Sequence, residues 1–196
     1  MLNIHTLTLG DYGTNCYIVH DSASETCCVI DPGYTPEKVL SEVNALGLTV
    51  EAILLTHGHF DHVGGVKEIA AETGCDVYLC ADELTLPPQI TAGPLYYTKT
   101  YDEGDTLHLA GLTISVIRTP GHTPGSVCLL IGDAMFSGDT LFAGSCGRTD
   151  FPGGSDAAMR ASLRRLAGLS ADHRVYPGHG MDTTLAEEKR YNPYLR

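Results

Sequence analysis

Short apolar runs separated by turn residues dominate the first half of the chain. The early runs lie at Ile4–Leu9, Cys16–Val19 and Cys27–Ile30, and Asp, Gly and Ser residues separate them. Runs of this length with such separators are typical of β-strands. Two further runs, Ala52–Leu55 and Val77–Leu79, each follow a segment with the helical spacing of apolar residues. The first half is therefore predicted to alternate strands with helices.

Two helices and one irregular loop are predicted in this half. The first helix opens at Thr35-Pro36-Glu37, which offers a capping hydroxyl and a proline in the first turn, and it ends at Gly47. The second covers roughly Val63–Thr73 and ends at Gly74. Residues 87–104 contain three prolines and the tyrosines 96, 97 and 101. This stretch is predicted to form an ordered loop over a site.

The second half repeats the order of elements. Strands are predicted at Thr106–Leu109, Thr113–Ile117, Ser126–Leu130, Ala134–Phe136 and Arg174–Tyr176, and helices at Asp156–Leu166 and Thr184–Tyr191. No linker separates the halves. We therefore predict an α/β fold of one domain over residues 1–196, with two sheets packed face to face and helices outside them.

The composition excludes several classes of protein. Apolar residues make up 43% and charged residues 18% of the chain, which is not the composition of a mainly disordered protein. The net charge of −12 and the absence of a basic run argue against nucleic-acid or anionic-membrane partners. Residues 1–10 do not resemble a signal peptide, and no apolar run approaches the roughly 20 residues of a membrane span. A cytoplasmic protein is expected.

The cysteines are expected to be reduced. There are seven of them, an odd number, and they form no CxxC motif and lie mostly in apolar runs. This pattern is typical of buried thiols rather than of a disulfide framework. Cys146, in the loop after Asp139, is likewise expected to be a buried structural thiol rather than a group that faces the site.

The strongest candidate for chemistry is the segment 56–62, Thr-His-Gly-His-Phe-Asp-His, directly after the apolar run Ala52–Leu55. Imidazole and carboxylate groups are the ligands that zinc and similar divalent ions take in proteins. His57 and His59 can converge on one ion from an extended turn, and the intervening Gly58 is expected to allow the bend. Asp61 and His62 are expected to serve a second ion, because adjacent side chains diverge.

Three more ligand-type residues follow apolar strands in the same way. His122, Asp139 and His179 each stand beside a glycine just after a predicted strand. Strand ends at one edge of a sheet converge on one crevice. Five histidines and two aspartates are sufficient for two ions with one bridging carboxylate. The remaining histidines lack this context and are expected to have no such role: His5, His20, His108 and His173.

Four motifs in order, T-H-x-H-x-D-H, T-P-G-H-T-P-G-S, S-G-D and P-G-H-G, resemble those of the metallo-β-lactamase-fold superfamily over nearly the whole chain. The family fold is a four-layer αβ/βα sandwich, with two mixed sheets and helices on the outer faces. The resemblance implies that one ion is held by His57, His59 and His122, that a second is held by Asp61, His62 and His179, and that Asp139 bridges both.

Two further segments look like the glyoxalase II group, and more closely like its short bacterial members, the hydroxyacylglutathione hydrolase-like proteins. They are Gly138–Gly154 and the ending Asn192-Pro193-Tyr194-Leu195. The helical region with which longer members hold glutathione is expected to be missing. Arg148 stands where the family places a basic residue for a glutathione carboxylate, but Thr149-Asp150 replaces the aromatic residue that follows it in those enzymes.

The resemblance implies hydrolysis of a thioester such as S-D-lactoylglutathione by a water activated between two ions. Zinc is expected, with iron and manganese as alternatives, because His and Asp ligands accept all three. Asp61 would be both a ligand and the group that orients the nucleophile. Arg148 would bind a carboxylate of the substrate, and the alternative for it is an ordinary ion pair. The oligomeric state is left open.

Three other functions stay open. The run Cys146–Phe151 also resembles persulfide dioxygenases, which use a single iron held by two His and one Asp, although their equivalent of P-G-H-G differs. A second alternative is another small hydrolase of the same superfamily that acts on a lactone or an ester. The third is metal storage or sensing without turnover.

Overall fold

Two six-stranded mixed sheets form the centre of the computed structural model, which describes residues 1–195. The strands of the first sheet lie side by side in chain order: β1 (Leu2–Leu9), β2 (Thr14–Asp21), β3 (Thr26–Ile30), β4 (Thr49–Leu54), β5 (Asp76–Cys80) and β6 (Lys99–Tyr101). Strands β1 to β3 are antiparallel to their neighbours, and β3 to β6 run parallel.

The second sheet has the order β14-β13-β10-β9-β8-β7. Its strands are β7 (Thr106–Leu109), β8 (Leu112–Arg118), β9 (Val127–Ile131), β10 (Ala134–Gly138), β13 (Arg174–Pro177) and β14 (Thr183–Thr184). A separate small hairpin joins β11 (Leu141–Phe142) to β12 (Ser145–Cys146). Only β10 and β13 pair in parallel within the second sheet.

Five α-helices are described: α1 (Pro36–Ala45), α2 (Phe60–Val63), α3 (Val66–Thr73), α4 (Asp156–Ala167) and α5 (Leu185–Tyr191). A 3₁₀ turn covers Ala81–Thr85. Within residues 1–195 no helix combines the length and the apolar character that crossing a membrane requires.

The alternation of side chains along the strands builds four layers. Ile30 of β3 and Phe136 of β10 point into one core between the two sheets. Val29, the neighbour of Ile30, points the other way and packs beneath α1 and α3. On the far side, Met135 packs against α4 and α5. The predicted four-layer αβ/βα sandwich is confirmed.

Three local predictions need correction. Thr35 does not cap α1, because its backbone is left-handed and its hydroxyl bonds the carbonyl of Tyr34 instead. The helix predicted over Val63–Thr73 is broken at Gly64-Gly65, where the chain packs tightly on the carbonyl of Gly33. Residues 87–104 include strand β6, and the Tyr101 ring lies between the sheets with its hydroxyl on the carbonyl of Leu55.

The strands that carry the site motifs end at one edge of the sandwich. There the Val127 N–H donates to the Thr56 carbonyl at 2.9 Å, and the Asn15 N–H donates to the Gly178 carbonyl at 2.7 Å. These hydrogen bonds connect the first sheet to the second beside the ends of β4 and β13. The loops that follow β4, β8, β10 and β13 therefore share one crevice.

Candidate metal centre

Three histidines form the first cluster of the crevice. One ring nitrogen each of His57, His59 and His122 lies within 4.8 Å of the others. Their Nε2 atoms are buried and have no hydrogen-bond partner. A buried polar atom without a partner costs about 1–3 kcal/mol, so three of them facing each other indicate a binding site for a cation rather than a structural role.

A second cluster lies beside the first. The Nε2 of His179 is 3.2 Å from Asp61 Oδ2, and the Nε2 of His62 is 3.7 Å from the same oxygen. Asp61 and His62 therefore lie together with His179, in a group of possible ligands separate from that of His57, His59 and His122. Their assignment to a common group, which the resemblance implied, agrees with the structure.

Asp139 lies between the two clusters. Its Oδ2 is 3.4 Å from His122 Nε2 and 3.6 Å from His179 Nε2, and its Oδ1 is 3.5 Å from His62 Nε2. Oδ1 is buried and has no hydrogen-bond partner. Asp139 therefore lies where both clusters could share its carboxylate, and all seven predicted ligand residues lie together.

Hydrogen bonds at the Nδ1 atoms orient the imidazole rings. A carbonyl or carboxylate oxygen only accepts, so each such Nδ1 is a donor and the opposite Nε2 presents a lone pair to the crevice when the ring is neutral. Nδ1 of His62 donates to Asp31 at 3.0 Å, that of His122 to the Arg148 carbonyl at 2.8 Å, and that of His179 to the Tyr12 carbonyl at 3.1 Å.

Asp31 orients the rings of His62 and His57, a role that its position at the end of a predicted strand did not indicate. Its carboxylate accepts the Thr56 N–H at 2.8 Å, the Thr56 hydroxyl at 2.5 Å and His62 Nδ1. The Thr56 hydroxyl in turn accepts from His57 Nδ1 at 3.1 Å. Potential ligand atoms of Asp31, His57 and His62 also lie within 4.8 Å of one another, close enough to hold a metal ion. Its oxygens are already engaged, so it is better described as a residue that positions ligands.

Glu83 holds two loops of the site together and was also missed. It is fully buried, and it accepts the Gly58 N–H at 2.5 Å and the Gly125 N–H at 2.6 Å. Burial raises the pKa of its carboxyl group. A Cβ at either glycine would lie within 3.0 Å of Glu83. Gly58 is therefore needed for close approach and not, as expected, for the bend between His57 and His59.

The two clusters differ in protonation. Burial and the neighbouring imidazoles lower the pKa of His57, and burial with His122 nearby lowers that of His59 to about 4. Burial also lowers the pKa of His122. These three rings are therefore neutral at pH 7, the form that binds metal ions.

Carboxylates reverse this effect in the second cluster. Burial alone would lower the pKa of His62, but Asp139, Asp31 and Asp61 raise it to about 9. The pKa of His179 is raised by its hydrogen bond to Asp61 against the effect of burial. The pKa of Asp61 is lowered, because contacts with His179 and His62 outweigh its burial. Divalent ions fit both clusters. In the first cluster an ion would accept the free lone pairs of the histidine nitrogens, and in the second it would replace protons on the imidazole rings.

The clusters open into a cavity of about 630 Å³. Aromatic side chains form much of its wall: Tyr12, Phe60, Phe142 and Phe151. None of the described lining residues comes from 87–104, so the loop predicted over the site does not contribute to this wall. The ring of Tyr12 contacts that of Phe60 edge-on, with centroids 5.0 Å apart.

Arg148 lies at the rim of this cavity, but it already has a partner. Its guanidinium forms a bidentate ion pair with Asp150, with both N–O distances at 2.7 Å, and it stacks 3.8 Å from the centre of the Phe151 ring. The structure therefore shows the ion pair that the sequence offered as the alternative for Arg148. The side chain is 54% exposed, so this pair is screened by solvent and can exchange partners.

Cys146 differs from its prediction. It is only partly buried and lines the metal cavity, whereas the other six cysteines are buried and all seven are free thiols. Burial, with Asp156 nearby, raises the pKa of its thiol, which disfavours the nucleophilic thiolate. Its hairpin is held by the buried Asn192, whose amide donates to the Ser145 carbonyl at 2.9 Å. The ending segment thus supports the wall of the site.

Comparison with known proteins identifies the family. The sequence profile of the metallo-beta-lactamase superfamily matches residues 9–179. Hydroxyacylglutathione hydrolase GloC of Haemophilus influenzae is 32% identical over 99% of this chain and 98% of its own. The crystal structure of BLEG-1 B3 metallo-beta-lactamase superposes with a TM-score of 0.89 at 33% identity, covering 100% of this chain and 99% of its own.

A third relative carries a metal centre. The crystal structure of TTHA1623 in a di-iron-bound form has a TM-score of 0.87 at 40% identity and covers 97% of this chain and 100% of its own. The family profile, the fold and the clusters of histidine and aspartate agree. This chain belongs to the metallo-beta-lactamase superfamily.

Proposed function

We propose that the protein is a binuclear metal-dependent hydrolase of thioesters, with hydroxyacylglutathione-type substrates as the first choice. The observation that carries this proposal is the position of Asp139 between two ligand clusters, with distances of 3.4–3.6 Å to His122, His62 and His179. A carboxylate shared by two sets of three ligands is what a two-ion hydrolytic site needs. The identity with GloC over nearly the full length of both chains supports the choice of substrate.

The proposed ligands are His57, His59 and His122 for one ion and Asp61, His62 and His179 for the other, with Asp139 shared. Zinc is proposed for both positions, with iron or manganese as alternatives, and the di-iron form of TTHA1623 supports the iron alternative. When bound, a pair of divalent ions makes water a nucleophile near neutral pH and polarises the carbonyl that it attacks.

The chain's own groups orient the reactants. The contacts that lower the pKa of Asp61 keep its carboxylate ionised, so it can accept a hydrogen bond from the attacking water and align that water with the carbonyl. The aromatic walls shield the carbonyl from bulk water. An ordinary thiol has a pKa of about 8.5, so the leaving group departs as a thiolate without a strong acid. Arg148 at the rim is proposed to exchange Asp150 for a carboxylate of the substrate.

The alternatives predict different sites. A single iron held by two His and one Asp would leave the cluster of Asp61, His62 and His179 without a purpose, yet these residues converge within 4.8 Å. The similarity to BLEG-1 makes β-lactam hydrolysis the second candidate, because the same pair of clusters could attack an amide carbonyl. An amide nitrogen is a poorer leaving group than a thiolate and needs a proton from a general acid.

The test is a substrate panel on protein loaded separately with zinc, iron and manganese. S-D-lactoylglutathione, a chromogenic cephalosporin and glutathione persulfide with oxygen electrode detection cover the three reactions. The proposal expects hydrolysis of the thioester to have the largest kcat/KM in at least one metal form. Exposed His108 supplies a control, because His108→Ala should retain activity that His59→Ala loses. The proposal would be overturned if the rate of oxygen consumption with the persulfide exceeded the rate of thioester hydrolysis.

A further inference from the structure

A second cavity adjoins the metal cavity. It has a volume of about 560 Å³ and lies between the loop of Cys146–Thr149 and helix α4. Cys146 and Arg148 line both cavities, so the two adjoin at these side chains. We call this second cavity the arginine cleft, because Arg148, Arg160 and Arg164 line it.

One face of α4 forms the wall of the cleft. Met159 and Leu163 are buried, and two exposed arginines lie above them. The α4 residues that line the cleft have the 3–4 residue spacing of a single helical face: Asp156, Met159, Arg160, Leu163 and Arg164. The apolar pair fixes the helix on the sheet, and the arginines stand at the opening. The third arginine comes from the facing loop.

The three guanidinium groups differ in their partners. Arg148 is paired with Asp150, and Arg160 is paired with Asp156 at 3.2 Å. The guanidinium of Arg164 forms no hydrogen bond or ion pair with any residue in the described range 1–195. The cleft therefore concentrates positive charge, one unit of it uncompensated, in a chain whose net charge is −12. Such a concavity attracts an anion.

A third cavity adjoins the metal cavity at Tyr12, and the charge of its lining differs from that of the arginine cleft. A cavity of about 370 Å³ shares Tyr12 with the metal cavity and is lined by Gly10, Asp11, Tyr34 and Thr35. It offers a carboxylate and no cation. The acidic end of a substrate is repelled on that side and attracted on the side of the arginine cleft.

We infer that the arginine cleft binds the acidic end of the thiol portion of the substrate, with Arg164 and Arg160 as specificity-determining residues in addition to Arg148. The inference rests on the proposed function, since it assumes that a thioester occupies the metal cavity. It narrows the substrate class to thioesters of thiols that carry a carboxylate or a phosphate away from the sulfur. An acyl thioester of an uncharged thiol makes no use of the cleft.

The first experiment measures binding without turnover. S-methylglutathione keeps both carboxylates of glutathione but has no thioester bond, and N-acetyl-S-methylcysteamine is its uncharged counterpart. Calorimetry compares both ligands on the wild type, Arg164→Gln and Arg165→Gln. Arg165 is the matched control, because it lies next to Arg164 on α4 but is paired with Glu103 outside the cleft. Thermal unfolding verifies that each variant is folded.

The inference expects S-methylglutathione to bind more tightly than the uncharged ligand and to bind about three- to tenfold more weakly to Arg164→Gln, the range for a partly exposed charge-assisted hydrogen bond. Arg165→Gln should bind it as the wild type does. Added salt should weaken wild-type binding. Equal binding of S-methylglutathione to the wild type and Arg164→Gln would overturn the inference, as would equal wild-type affinity for the charged and uncharged ligands.

A parallel arm with S-methyl-coenzyme A distinguishes the source of the anion. Tighter binding of this phosphate-bearing ligand, with the same dependence on Arg164, would support the cleft and assign it to phosphates rather than carboxylates. S-D-lactoylglutathione hydrolysis on the same preparations separates the two proposals. Hydrolysis with an unchanged KM in Arg164→Gln would refute the role of the arginine cleft but support the thioesterase activity. Ligand binding that depends on Arg164, together with no hydrolysis of the thioester, would support the role of the arginine cleft but refute the thioesterase activity.

Discussion

The Nε2 atoms of His62 and His179 lie 3.3 Å apart, although the Nδ1 atom of each ring already donates elsewhere. Two neutral rings held this way would direct two lone pairs at each other. A positive charge must therefore lie between them, either a proton or a metal ion. Asp139, Asp31 and Asp61 raise the pKa of His62 to about 9 against the effect of burial, which favours a proton in this place when no ion is bound. The second cluster is thus a site where protons and metal compete.

This competition predicts that the two clusters respond differently to pH. An ion in the second cluster must displace protons from His62 and His179, so its affinity should rise by about tenfold per pH unit for each proton released. The pKa values of His57, His59 and His122 are lowered instead, so metal binding to the first cluster displaces fewer protons and its affinity should depend less steeply on pH.

Chelator-competition titrations of apoprotein with zinc between pH 6 and 8 measure this difference. Calorimetry in two buffers of different ionisation enthalpy counts the protons released at each step. Two binding steps with the same pH slope would contradict the assignment of protonation to the second cluster.

Single-ligand substitutions should separate the clusters. His59→Ala removes a ligand from the first cluster only and should reduce occupancy there, whereas His179→Ala should reduce occupancy of the second. Elemental analysis after dialysis against a weak chelator gives the stoichiometry, and His108→Ala is the control for loss of an imidazole outside the site. If both variants lost both ions in equal proportion, the clusters would not be independent sites.

Asp61→Asn tests the orientation of the nucleophile. Asparagine keeps the shape of the side chain but loses the charge, so kcat should fall by about 10²–10⁴, the range for a positioned acid–base group. KM should change much less, because Asp61 does not contact the remote end of the substrate. The metal content of the variant must be measured alongside, so that lost occupancy is not mistaken for a lost role. A variant with both ions and near wild-type kcat would refute this role.

Glu83→Gln tests a residue that acts through the backbone. The amide presents an N–H₂ group to either Gly58 or Gly125, whose own N–H then loses its acceptor. Loss of a buried charged hydrogen bond costs about 1.5–3 kcal/mol of unfolding free energy. Because Gly58 lies between His57 and His59, zinc affinity of the first cluster should fall more than that of the second.

Denaturant unfolding and the chelator titration together measure both effects of Glu83→Gln. The exposed Glu72 on α3 provides a charge-matched control as Glu72→Gln. A loss of stability with no change in the ratio of the two zinc affinities would make Glu83 a structural residue only.

The convergence of the candidate ligands was predictable from the sequence because each of them follows an apolar strand, and strand ends converge. His122 and His179 could be placed by this rule although they lie 57 positions apart in the chain. Asp31 and Glu83 could not, because they act on backbone N–H groups and ring Nδ1 atoms that only the fold brings near them. Asp31 had a weak signal in its position at the end of β3, beside the strand that carries the histidines.

Loops and caps were predicted less well for a related reason. Thr35 has the residue type of a helix cap but not the backbone conformation, which the packing of the neighbouring loop decides. Tyr101 lay in a segment rich in proline and tyrosine, and its position between the sheets follows from the pairing of β6 with β5. Arg148 was placed correctly at the site, but its ion pair with Asp150 depends on the local turn.

Anomalous diffraction at the absorption edge of the bound metal distinguishes a binuclear site from a mononuclear one. We predict two peaks, one among His57, His59 and His122 and the other among Asp61, His62 and His179, with the Asp139 carboxylate between them. In crystals grown at pH 8 with excess metal, a single peak confined to the first cluster at full occupancy would contradict the binuclear site.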